Sequence, residues 1–183
     1  MKKAQKGPKD SVVKPNTIWN EDCILTLKKM PSAFLDGGFT SPPYDGLRDY
    51  AGLPFDEFKE IAKELARVLK PGGVLCWNVG DQCVRGSETG TSFRQALYFK
   101  EIGLNLHDTM IYEKSGFAFP STNRYHQVFE YVFIFSKGTP KTFNPIKDRP
   151  NKYVGIHGGE HSYRGELGAR TNVWRYANGG NHT

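Results

Sequence analysis

Thr40-Ser41-Pro42-Pro43-Tyr44 follows directly on Ala33-Phe34-Leu35-Asp36-Gly37-Gly38-Phe39, and the junction between the two segments decides the architecture of the chain. The short apolar run reads as a buried strand. Two consecutive prolines donate no backbone hydrogen bonds and continue neither a strand nor a helix interior. Each also holds the residue before it in extended geometry. The strand therefore ends in a stiff, extended loop with outward carbonyls, led by a hydroxyl and closed by an aromatic ring. Such a loop can accept hydrogens from an amino group while its ring stacks on a flat heterocycle. The competing reading is a plain turn in which Tyr44 covers the sheet edge. A position at the carboxyl end of a parallel strand, where open α/β sheets bind ligands, favours the first.

The flanking sequence supplies that sheet. Thr17-Ile18-Trp19 reads as a short strand. Asn20 or Asp22 caps a helix to Met30, with Ile24, Leu25, Leu27 and Met30 apolar and Pro31 ending it. Phe55, Phe58, Ile61, Ala62, Leu65, Val68 and Leu69 recur at helical spacing, giving an amphipathic helix over 55–69 that Pro71-Gly72-Gly73 stops. Val74–Val79 is a strand-length apolar run. A polar loop then leads to a helix over Ser92–Glu101, with Phe93, Ala96, Leu97 and Ile102 as its apolar face. Strands follow around His107–Glu113 and Val128–Ser136. This alternation predicts an α/β fold with crossover helices and a mostly parallel sheet, its last two strands paired antiparallel at one edge. Residues 139–183 show little periodicity and one strand-like piece, Asn172-Val173-Trp174-Arg175-Tyr176.

The chain has 183 residues, which suits one domain with a real core. A charged fraction of 24% and an aromatic fraction of 13% are those of a globular protein, and a net charge of +6 suits a polyanionic partner. Cys23, Cys76 and Cys83 match no zinc signature and are too few for a disulfide framework, so a reducing, cytoplasmic setting is expected. His157 and His161 lack partners at metal-ligand spacing, so they read as loop histidines and no metal site is expected. No apolar stretch approaches the about 18 residues of a membrane span. The start, Met1–Asp10, is basic without the apolar core of a signal peptide, and residues 1–16 read as a flexible basic arm.

In order along the chain, Thr40–Tyr44, Arg67-Val68-Leu69-Lys70-Pro71-Gly72-Gly73-Val74 and Phe129-Glu130-Tyr131-Val132-Phe133-Ile134-Phe135-Ser136-Lys137 resemble the DNA amino-methyltransferase family. Its enzymes methylate N4 of cytosine or N6 of adenine using S-adenosyl-L-methionine. Ile18–Cys23 and Asn172–Tyr176 resemble the permuted group in which the catalytic half comes first. The resemblance runs from Thr17 to Thr183 and implies a Rossmann-like, S-adenosylmethionine-dependent methyltransferase fold. In that group a glycine-rich loop cradling the methionine end of the cofactor follows the specificity region, and no strand of this sequence leads into a Gly-x-Gly loop. The expectation is therefore an incomplete fold. It is either a fragment or truncated product, or half of a split enzyme completed by a second polypeptide.

The resemblance also assigns roles. Ser41 and the Pro42 carbonyl accept the amine hydrogens, Pro43 stiffens the loop and Tyr44 stacks on the target ring. Asp22, Cys23 and Thr40 fall on the cofactor side, with a helix cap as the equal alternative for Asp22. Double-stranded DNA is the implied partner, with the target base flipped out of the duplex. Between Phe117 and His126, Phe119, Arg124, Tyr125 and His126 mix aromatic and basic groups beside the implied base pocket. Arg164, Arg170 and Arg175 are candidates for groove or phosphate contacts. Asp81 either faces the pocket or makes a turn. Arg85–Ser92 either holds a backbone phosphate at a helix N-terminus or is merely solvated. Residues 17–138 are thus the catalytic domain and 139–183 a target-recognition-like extension. Methylation of RNA or of a protein amide, and a DNA-binding remnant without transfer activity, are the competing functions.

Overall fold

A computed structural model of the chain describes residues 13–14, 16–45, 52–116, 122–156 and 163–177; for Ile156, Tyr163 and Arg164 it describes the backbone alone. Most of the N-terminal arm, Phe119, His157 and His161 lie outside the described residues. Helix α1, Cys23–Lys29, begins where Asp22 Oδ1 accepts the Ile24 N–H at 2.8 Å, and ends at Met30 ahead of Pro31. Strand β1 is Leu35–Thr40. Helix α2, Phe55–Val68, carries Asp56 and Glu57 in its first turn and Arg67 in its last, the charge order that suits a helix dipole. Strand β2, Leu69–Val79, leads into a small hairpin of β3, Cys83–Val84, and β4, Ser87–Glu88. Helix α3, Thr91–Glu101, is followed by β5, Asn105–Lys114, and β6, Phe129–Ser136. The tail holds β7 (Lys147–Pro150), β8 (Gly155–Ile156), β9 (Tyr163–Arg164), β10 (Leu167–Ala169) and β11 (Val173–Tyr176).

The main sheet has the order β1-β2-β6-β5-β11. β1 runs parallel to β2 and β11 parallel to β5, while β6 is antiparallel to both its neighbours. Leu75, Trp77 and Val79 alternate inward from β2 and meet Phe133 and Phe135 of β6 in one apolar core. Helices α2 and α3 close that core with Phe58, Ala62, Ala96 and Phe99. Phe58 sits edge-on to Trp77 at 5.6 Å and to Phe99 at 5.4 Å between ring centres.

Five expectations need revision. Thr17–Trp19 pairs with no strand among the described residues, and Ile18 is 99% exposed. The 55–69 helix ends one residue early: Leu69 is already extended, its N–H bonded to the Leu65 carbonyl, and β2 starts there. Pro71-Gly72-Gly73 lies inside β2, where the β1–β2 register shifts between Leu35 and Gly37 and Gly72 takes φ +80. The two late strands do pair antiparallel, but β6 is interior and β11 covers the free side of β5.

The inward face of α3 is the fifth revision. Phe93 and Leu97 are exposed, while Ser92, Gln95, Ala96, Tyr98 and Phe99 are buried. Polar residues can occupy this interior because each finds a partner. Gln95 Oε1 accepts the Trp77 indole N–H at 2.8 Å, and Asp81 receives Ser92. Replacing Gln95 with alanine leaves the Trp77 N–H unpaired in the core and should cost about 1–3 kcal/mol. Leu97→Ala, at an exposed position, should stay within about 0.5 kcal/mol of wild type. Urea unfolding midpoints of the two variants check the assignment of the face.

Candidate active site

Because β1 and β2 are parallel, Thr40 and Val79 end at the same rim of the sheet, with Thr40 opposite Trp77. β5 also ends there, its Lys114 N–H donating to the Val128 carbonyl at 2.6 Å just before β6 begins. The rim thus gathers Ser41–Asp45, Asn78–Asp81, Lys114 and Glu130. The proline loop is asymmetric: Pro42 is buried, while Ser41 and Pro43 are exposed.

A cavity of about 570 Å³ opens beside it, lined by Cys23, Thr40, Ser41, Pro42 and Pro43, with Trp19, Glu57 and Trp77 among its walls. That is the size of an ordinary small-molecule site. The structure therefore brings together every catalytic and cofactor candidate from the sequence except Asp22 and Tyr44. Asp22 is the side-chain cap of α1, next to Cys23. Burial, reinforced by the Asp22 carboxylate, pushes the Cys23 thiol up, which makes it a poor nucleophile.

Tyr44 turns its hydroxyl toward β2 and β6. Its Oη lies 2.8 Å from Ser41 Oγ and donates to Glu130 Oε2 at 3.2 Å, and it also accepts from Asn78 Nδ2. Asn78 Nδ2 donates in addition to Glu130 Oε2 at 2.8 Å, and Lys114 Nζ to Glu130 Oε1 at 3.0 Å. Burial pushes the Tyr44 phenol up to about 12, the Ser41 contact opposing and the Glu130 carboxylate adding to it. For Glu130, burial raises the carboxyl, but hydrogen bonds from Asn78 and Lys114 and the Lys114 charge outweigh it and hold the group below its ordinary value. Sequence reasoning missed this network. Its signals were a lone amide between Trp77 and Val79 and a lone carboxylate in an aromatic strand.

A second set of carboxylates fixes the loops behind the rim. Asp45 accepts from the Thr89 hydroxyl at 2.6 Å and from the Thr91 hydroxyl at 2.9 Å. Asp81, 5% exposed, accepts the Ser92 N–H at 2.9 Å and the Ser92 hydroxyl. The N-terminus of α3, a candidate phosphate site in the sequence, is thus filled by the protein's own carboxylate.

The basic candidates are dispersed. Arg124 donates to the Gly86 carbonyl at 2.9 Å and pairs with Glu88 at 3.7 Å, which anchors it to the β3–β4 hairpin after β2. His126 is exposed on the approach to β6. Arg175 lies in β11, at the opposite edge of the sheet from β1, paired with Glu113. Arg170 pairs with Asp148, donates to Tyr176 Oη at 3.1 Å and lies 4.9 Å over the Trp174 ring. Arg164 has its backbone in β9.

Residues 35–182 match the family described as DNA methylase, N6_N4_Mtase. The chain belongs to this family. It is 54% identical over 161 residues to the orphan methyltransferase M.BamHII of Bacillus amyloliquefaciens, an overlap of 79% of this chain and 60% of that protein. The chain thus spans about three fifths of that relative's length. Two of the solved structures that share the fold, a Rossmann-like methyltransferase architecture, are matched over little more than half of their own length. The cytosine-N4-specific PvuII DNA methyltransferase superposes with a TM-score of 0.62 at 19% identity, over 89% of this chain and 57% of that one. TTHA0409 of Thermus thermophilus, solved with S-adenosyl-L-methionine, gives 0.53 at 22% identity, over 70% and 56%.

The depressed carboxyl of Glu130 makes stability depend on pH. Just below its ordinary value of 4.5 the folded state binds fewer protons than the unfolded one. Its stabilisation is full above that value and drains as pH falls through the lower folded value. Urea midpoints between about pH 5 and about pH 3 should therefore fall more steeply for the wild type than for Glu130→Gln.

Proposed function

We propose that the chain is the catalytic and target-binding portion of a DNA amino-methyltransferase, acting on N4 of cytosine or N6 of adenine in double-stranded DNA. The observation that carries this reading is the Ser41-Pro42-Pro43 loop at the mouth of a cavity of about 570 Å³, at the carboxyl end of a parallel strand. Exocyclic amines are weak nucleophiles because the nitrogen lone pair delocalises into the ring. Ser41 Oγ and the Pro42 carbonyl accept the amine hydrogens and favour a pyramidal nitrogen with a localised pair. Pro43 keeps both acceptors in place before the substrate arrives, so alignment costs little at the moment of reaction. Tyr44 does not line the cavity; its hydroxyl, 2.8 Å from Ser41 Oγ, backs the loop, so its role is to support the acceptors rather than to stack on the flipped base.

S-adenosyl-L-methionine is the cofactor of this reading, and when bound it supplies an electrophilic methyl group on sulfur. The residues present fit a nucleoside carrying a cationic centre: indole and aliphatic walls from Trp19, Leu53, Ile61 and Leu65, the Thr40 hydroxyl and the Glu57 carboxylate line one cavity. Cys23 and Thr40 would hold it, with Asp22 fixing the start of α1 alongside. Since the chain spans about three fifths of M.BamHII, we assign the remainder of the cofactor pocket to additional polypeptide, in the same product or in a second one. Residues 139–183 form the target-recognition extension, whose Arg164, Arg170 and Arg175, together with Arg124 and His126 of the catalytic domain, supply cationic contacts to the duplex. No helix among the described residues is long and apolar enough to cross a membrane.

Transfer of labelled methyl from S-adenosyl-L-methionine to duplex oligonucleotides, with RNA and protein controls, tests the substrate class. Tyr44→Ala and Pro42→Ala should abolish transfer while leaving duplex affinity intact; retained turnover would count against the roles given to them. Calorimetry with the cofactor alone separates the remaining cases. Dissociation weaker than about millimolar marks a chain that needs its completing polypeptide, since that corresponds to less than about 4 kcal/mol of binding.

A further inference from the structure

Ser41 is a hydroxyl, and a hydroxyl is ambivalent: it holds two lone pairs and one proton that can point either way. To accept from a target amine its proton has to be directed elsewhere. The network at the rim does this. Glu130 is held as a carboxylate by Lys114 Nζ at 3.0 Å and Asn78 Nδ2 at 2.8 Å, and a carboxylate can only accept. Tyr44 therefore gives its single phenolic proton to Glu130 Oε2, 3.2 Å away. The phenolic oxygen has two lone pairs left. One takes Asn78 Nδ2, and the other faces Ser41 Oγ at 2.8 Å. With the phenol's own proton committed, Ser41 has to be the donor in that contact.

We infer that Lys114, Asn78 and Glu130 are positioning residues that set the direction of a Ser41→Tyr44→Glu130 hydrogen-bond chain, so that both lone pairs of Ser41 face the cavity as acceptors for the target amine. This rests on the function proposed above and adds to it three residues that do not touch the cavity. The geometry places them consistently. Asn78 alternates with buried Trp77 and Val79, so it points to the other face of the sheet. It is paired in register with Val132, two residues from Glu130 and on the same side. Lys114 closes β5 at the same rim. The titratable and charged groups facing Glu130 are Lys114 from β5 and Tyr44 from the proline loop, and each bonds it directly. A phenol displaced to about 12 keeps its proton throughout the neutral range, as the chain requires.

Two measurements decide this. The first is a double-mutant cycle on single-turnover methyl transfer, using the full chain with duplex oligonucleotide and S-adenosyl-L-methionine. Glu130→Gln puts a carboxamide where the carboxylate was, next to the Lys114 ammonium. It should slow transfer about tenfold in the wild-type background and less than about twofold in Ser41→Ala, because the residue acts only through Ser41. An equal loss in both backgrounds would overturn the inference and leave Glu130 a purely structural residue. The second needs no catalysis: 13C-tyrosine NMR of the full chain, with the Tyr44 signal assigned by Tyr44→Phe and folding followed by circular dichroism. Tyr44 should titrate near about 12 in the wild type and lower in Glu130→Gln. A Tyr44 titration unmoved by Glu130→Gln would refute the chain even in an enzyme that methylates DNA. A displaced titration in a protein that transfers no methyl would uphold the hydrogen-bond chain and refute the function instead.

Discussion

The proline loop can act as a fixed template only because the strand it leaves cannot slide. Thr40 is opposite Trp77, and Trp77 is 1% exposed, wedged against Phe58 and Phe99 and hydrogen-bonded to Gln95 on α3. α3 is in turn tied to the carboxyl end of β2 by Asp81, which binds Ser92 through backbone and side chain. A slip of β1 along β2 would move Ser41 away from the hydroxyl it meets and place side chains on the wrong face. The position of four loop residues is thus set by an indole, an amide and a carboxylate that lie outside the loop.

Much of this was legible from the sequence, and for identifiable reasons. The stop at Pro42-Pro43, the helix between Phe55 and Val68 and the cap at Asp22 are local events, governed by backbone chemistry and by a periodicity that one segment carries alone. The inward face of α3 was not legible, because apolarity at Phe93 and Leu97 competes with partners offered by other elements. Ser92 and Gln95 turn inward once Asp81 and Trp77 are beside them, and nothing in 91–101 announces that. The start of β2 was misjudged for a related reason. Gly72 and Gly73 look like a helix stop, yet Leu69 had already left the helix, and the two glycines serve a bulge that exists only because β1 lies alongside.

The candidate site divides in the same way. Pro42 and Pro43 were conspicuous because proline is costly in a regular strand, and they drew Ser41 and Tyr44 on either side into view. Asn78, Lys114 and Glu130 were not, since a single polar residue in a strand usually marks a solvated face. Only the register β1-β2-β6-β5 brings them together from four segments spread over 86 positions between Tyr44 and Glu130. Likewise Arg170 and Arg175, read from the sequence as cations free for DNA, are partly spoken for by Asp148 and Glu113. Exposed pairs of this kind are weak, so a phosphate can compete for either arginine, but each such exchange strands a carboxylate near the nucleic acid.

Retaining a charged pair at the rim has a cost that bears on its role. Lys114 and Glu130 are 28% and 20% exposed, enough burial for desolvation to consume a good part of their attraction. An apolar pair of similar volume would hold β5 to β6 at least as well. What an apolar pair cannot do is polarise a row of hydroxyls in one direction. Tyr44 and Ser41 each have a proton that can rotate, and without a fixed acceptor at one end the row has two arrangements, one of which aims the serine proton into the cavity against the incoming N–H. A carboxylate removes that second arrangement. The ion pair is therefore better explained by the direction it imposes than by the stability it adds.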